Sequence, residues 1–77
     1  MAATAEQRQL TETLLSQIQE SGFPGAAQLD RVEQLISTRD ELETYIAILT
    51  QKVQASNFPA ASMVDRIQRL IRVARAL

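Results

Sequence analysis

The sequence predicts an all-α fold: a duplicated helical hairpin whose four helices form a bundle. Three observations predict it. Apolar residues recur at spacings of three and four along most of the chain. Helix start and stop signals cut that pattern into short segments. A unit of about 35 residues also occurs twice, the mark of one supersecondary element used again.

The repeat is readable residue by residue. Ser21-Gly22-Phe23-Pro24 returns as Ser56-Asn57-Phe58-Pro59, Asp30-Arg31-Val32 as Asp65-Arg66-Ile67, and Leu35-Ile36 as Leu70-Ile71. Upstream, Leu14, Ile18 and Gln19 match Leu49, Val53 and Gln54. With 77 residues the chain reads as a single domain of two units, about 5–37 and 38–77.

The first helix opens at Thr4, where Thr4-x-x-Gln7 has the form of a capping box, and runs free of Gly and Pro to Glu20. Leu10, Leu14 and Ile18, with Leu15 beside them, form its apolar stripe. Gly22 then stands where a left-handed residue ends a helix, and Asn57 holds the same place in the second unit. A Schellman ending there predicts contacts Phe23–Ile18 and Phe58–Val53, with Pro24 and Pro59 opening the next helices.

The second helix is expected from Gly25 or Ala26 to Ile36, with Leu29, Val32, Leu35 and Ile36 turned inward. The third covers roughly Arg39 to Ala55, with an inner face of Leu42, Tyr45, Ile46, Leu49 and Val53. Ile48 falls outside that arc and, beside Tyr45, reads as the edge of a partner surface. The junction between these helices allows two readings. No Gly or Pro lies between Ala26 and Ser56, so helices 2 and 3 can be one helix of about 30 residues. Thr38-x-x-Glu41 instead has the form of a capping box, and the expectation leans to a break there.

The fourth helix repeats the second as Val64, Ile67, Leu70 and Ile71 and extends it with Ala74 and Leu77, an arc of about 140° that also takes in Met63. As the more hydrophobic copy it is the expected central element. One short chain is not expected to cover so wide an apolar face alone. The sequence therefore points to self-association, most simply a two-fold homodimer. The expected interface is Met63, Ile67, Leu70, Ile71, Ala74 and Leu77, with Tyr45 and Ile48 as a second patch.

Composition narrows the function. The chain has no cysteine and no histidine, which removes thiolate and imidazole chemistry, disulfides and the usual zinc ligands. Only Gly22 and Gly25 are present, so there is no glycine loop to cradle phosphate. Asp40, Glu41 and Glu43 cluster near the start of a helix, where acids complement the helix dipole. No catalytic, metal or cofactor-binding residue is expected, and the chain does not read as an enzyme. With neither a secretory leader nor an apolar run long enough for a membrane span, it reads as cytoplasmic.

Charge is uneven. Residues 1–50 carry three arginines against eight carboxylates; residues 51–77 carry Lys52 and four arginines against Asp65 alone. Complementarity within the molecule or across a dimer accounts for this simply. Arg66, Arg69, Arg72 and Arg75 are candidate contacts to an anionic partner. Nucleic-acid binding by this basic helix is the alternative function, although Phe23, Tyr45 and Phe58 all lie outside it and cannot stack on bases from it. The repeated Asp-Arg pairs read either as a tether in which the arginine reaches the end of the preceding helix or as solvated pairs inherited by duplication. The hairpin is similar in length to tetratricopeptide units but lacks their consensus residues. Leu14-Leu15…Gly22-Phe23-Pro24 resembles the helix-turn of ubiquitin-associated domains, which carry a Phe-Pro after their first helix. No family is assigned. The expected function is that of a non-enzymatic protein-binding adaptor, assembly factor or small regulator.

Overall fold

The computed structural model describes residues 4–22, 24–56 and 60–77. These residues form four helices and no strand: α1 (Ala5–Glu20), α2 (Ala26–Leu35), α3 (Arg39–Ala55) and α4 (Ala61–Ala76). α1 packs on α2 and on α3, and α3 packs on α4. The backbones of α2 and α4 do not come within 8 Å of each other at the Cα atoms.

Thr4 caps α1 by accepting the Gln7 N–H at 3.1 Å. The other half of the expected box is missing, because the Gln7 side chain donates to the Leu35 carbonyl of α2 at 3.4 Å instead. The junction between α2 and α3 is a true break, and the single long helix is excluded. Thr38 Oγ1 accepts the Glu41 N–H at 3.1 Å, while Glu41 Oε1 accepts the backbone N–H groups of Ser37 at 3.0 Å and Thr38 at 3.3 Å. Three donors that a new helix leaves unpaired are thereby satisfied.

The helix ends differ from expectation. Among the described residues none has positive φ, so Gly22 is not left-handed. Ser21 ends α1 in extended geometry (φ −74°, ψ 137°), and Ser56 ends α3 in the same way (φ −93°, ψ 135°). The Schellman ending is therefore absent at Gly22. The expected contacts of Phe23 and Phe58, and the role given to Asn57, fall on residues outside those described. The physical reason for the extended exit lies in α3. The Lys52 ammonium donates to the Gln19 carbonyl at 2.7 Å and also to the Ser21 carbonyl. A cation from a neighbouring helix thus satisfies the Gln19 carbonyl, which a left-handed turn would otherwise pair.

The core consists of Leu15 and Ile18 from α1, Leu29 and Val32 from α2, and Tyr45, Ile48 and Leu49 from α3. Two assignments are corrected here. The buried line of α1 is Thr11, Leu15 and Ile18, while Leu10 remains 49% exposed. Thr11 tolerates burial because its hydroxyl lies 2.8 Å from the Gln7 carbonyl and 3.4 Å from that of Leu35. The central element is α3, not α4: four α3 residues are buried and no α4 residue is. α3 has a helix on two sides and α4 on one. The smallest Cα extent, 18 Å, leaves room for about two helix layers at the usual 8–10 Å spacing, so an edge helix keeps one side in water.

Candidate functional site

Two features stand out on α4: a charged latch on its α2 side and an apolar, basic outer surface. Tyr45 of α3 begins the latch. Its ring is fully buried, and its hydroxyl donates to Glu33 Oε2 at 2.6 Å and lies 3.4 Å from the Leu29 carbonyl. Burial pushes the hydroxyl pKa far above its ordinary value, and the adjacent Glu33 carboxylate pushes it further, so Tyr45 stays protonated and donates.

Arg66 of α4 completes the latch from the other side. Its guanidinium bonds Asp30 Oδ1 at 2.8 Å and also reaches the Glu33 Oε2 that Tyr45 bonds. Its side chain is 14% exposed, whereas that of Asp30 is 62% exposed. Burial alone lowers the guanidinium pKa, but the bonds to Asp30 and Glu33 more than reverse this and raise it. The latch therefore joins α2, α3 and α4 through one shared carboxylate. It also corrects the expected tether. Arg66 binds α2, two helices back in the chain, while Lys52 is the residue that holds the end of a preceding helix. The equivalent Arg31 is exposed, so the two units do not use their Asp-Arg pairs alike.

The candidate interface residues separate into three groups. Tyr45 and Ile48, with 0% and 5% exposure, belong to the core. Ile48 lies with Leu15 and Glu12 in the groove between α1 and α3, so α1 covers the side chain that looked like an outlier. These two side chains are therefore withdrawn from the surface patch assigned to them. Met63, Ile67 and Leu70 are partly buried against the core, and Ala74 is half-buried. Ile71 and Leu77 are 36% and 65% exposed. Val73, absent from the sequence-based set because it lies outside the 140° arc, is 52% exposed. Of the four α4 arginines, Arg66 is taken by the latch, while Arg69, Arg72 and Arg75 lie exposed on the outer face. Asp30 and Glu33 were missed as partners, since only the general rule that neighbours in a helix point apart hinted at contacts elsewhere.

Two hollows flank α4. A cleft of about 290 Å³ lies between the hairpin corners, with Leu29, Val53 and Met63 inside and Lys52 and Arg66 on its wall. Both cations already serve backbone carbonyls or carboxylates, which blunts the cleft as a binding site for an anion. A groove of about 390 Å³ at the opposite end is lined by Ile36, Leu42, Leu70, Val73 and Leu77. Arg39 closes that end by donating to the Leu77 carbonyl at 3.2 Å. Among the described residues no three acidic, histidine or cysteine side chains gather where a metal ion would bind. No helix there is long and apolar enough to cross a membrane.

Comparison of the chain with protein-family models, with curated proteins and with solved structures finds no match.

Proposed function

We propose that this protein is a non-enzymatic interaction module that self-associates through α4. The observation that carries the reading is the placement of its exposed apolar side chains. Of the large hydrophobic residues left in water among those described, Ile71 and Val73 are on α4, Leu77 directly follows it, and Leu10 alone is elsewhere. A helix lying on one edge of a small bundle, with apolar side chains on both flanks of a basic face, is built to receive a second protein surface. The acidic excess of residues 1–50 suits the exposed arginines of another copy.

The 35-residue duplication belongs to the same reading. It is supported by sequence register and by matching helix ends: α1 ends at Glu20 and α3 at Ala55, and α2 begins at Ala26 and α4 at Ala61. Two copies of a hairpin stacked in one chain offer a surface on which further copies of the same shape can pack.

Sedimentation equilibrium across the micromolar range tests the proposal. The wild-type chain is expected to dimerise, and Ile71→Glu with Val73→Glu is expected to return it to monomer with unchanged helical circular dichroism. A wild-type monomer throughout that range rejects the reading. A second reading rests on the exposed Arg69, Arg72 and Arg75, which present positive charge toward nucleic acid. It requires binding that weakens steeply with salt and vanishes on charge reversal of Arg69 and Arg72.

A further inference from the structure

We propose that α4 is an exchangeable helix: when the Arg66 latch opens, α4 leaves α3 as a unit, and the α4 of a second copy takes its place. This rests on the self-association reading and specifies its mechanism. Among the described residues, the eight buried apolar side chains all belong to α1, α2 and α3, so the centre of the core lies within those three helices. The α4 backbone packs on α3 alone. Among the described residues, the polar bonds that join α4 to other helices are those of Arg66 to Asp30 and Glu33 and one from Arg39 to the Leu77 carbonyl. A helix held by one partly buried ionic latch and one face of half-covered side chains is the segment expected to open before the rest.

The vacated site also names its occupant. Its lining, with the apolar core below and Asp30 and Glu33 at the rim, already matches Met63, Ile67, Leu70 and Arg66. A second copy supplies that set in the same spacing, so exchange rebuilds the packing and the ion pairs that opening breaks.

The test uses opposite charge reversals on two chains. Arg66→Glu and the double variant Asp30→Arg/Glu33→Arg are each mismatched with themselves. In a mixed exchanged dimer one latch is native and the other is reversed but complementary. Native mass spectrometry of an equimolar mixture is expected to show the ratio of heterodimer to total homodimer raised about tenfold above the 1:1 of random pairing. Statistical mixing beside a wild-type dimer overturns exchange and leaves surface self-association standing. A wild-type monomer at every concentration overturns both. Should either variant lack helical circular dichroism, Arg66→Asp mixed with Asp30→Arg repeats the test at the exposed limb of the latch. Hydrogen exchange on the wild-type chain decides without any variant. The α4 amides are expected to exchange at least about tenfold faster than those of α3, and exchange of both helices at one common rate overturns the proposal.

Discussion

Tyr45 shows how one residue acquires a role that its neighbours in sequence do not announce. It is the only tyrosine in the chain, so its ionisation can be followed without interference. In the unfolded chain its hydroxyl ionises near the ordinary value of 10.0, whereas in the folded chain it is held protonated well above that. Below pH 10 both states hold the proton and stability does not depend on it. Above pH 10 the unfolded state loses the proton first, so stability falls by about 1.4 kcal/mol for each further pH unit. Phenolate absorbance is accordingly expected to appear together with loss of helical circular dichroism, and Tyr45→Phe is expected to flatten the alkaline slope. A reversible phenolate titration near pH 10 with the helices intact would refute the buried assignment. Thr11 carries a related lesson. A hydroxyl that bonds the backbone of its own helix hides its polarity, which allows it into the core and turns the α1 stripe away from Leu10.

At the scale of the element, helix ends are closed by other helices as often as by their own caps. Gln7 and Thr11 of α1 serve the Leu35 carbonyl of α2, Lys52 of α3 serves Gln19 and Ser21 at the end of α1, and Arg39 of α3 serves Leu77 after α4. Local start signals such as Thr4 and Thr38 are visible in sequence because their bonds span three residues. Cross-helix bonds span 12 to 38 residues and leave no such pattern. Gly22 measures the difference. A left-handed glycine loses more than about 1 kcal/mol on replacement by alanine, whereas one at negative φ gains roughly 0.4–1 kcal/mol from reduced freedom in the unfolded chain. Gly22 lacks positive φ, and an added Cβ there meets nothing within 4 Å. Gly22→Ala is therefore expected to raise the urea midpoint slightly. A clear drop would restore the left-handed ending.

For the whole molecule the governing fact is the order of packing, α2 on α1 on α3 on α4, with side chains closing the gap between the outer two. Arg66 is the largest single polar link across that gap. Arg66→Ala is expected to destabilise the chain by about 2 kcal/mol in urea unfolding, because it removes two charged bonds and leaves Glu33 partly buried with Tyr45 alone. An unchanged midpoint would mean that the apolar seam with α3 holds α4 unaided. The same order explains which parts of the candidate surface were legible. Ile71 and Leu77 could be picked from the stripe of α4, since that helix has solvent on its far side. Ile48 could not be placed, because its surroundings include Glu12 and Leu15 of α1, more than 30 residues earlier in the chain.

What the amino-acid order determined alone is the local part: four helices, their all-α class and the start signals at Thr4 and Thr38, because capping and periodicity act over three or four residues. Tertiary structure decided the rest. It made α3 the centre, moved Ile48 inward, sent Lys52 to the end of α1 and locked Arg66 onto α2. A helix with an apolar stripe satisfies its backbone wherever it lies. Which stripes meet, and which charges then face one another, is settled only when all four compete for the same small volume.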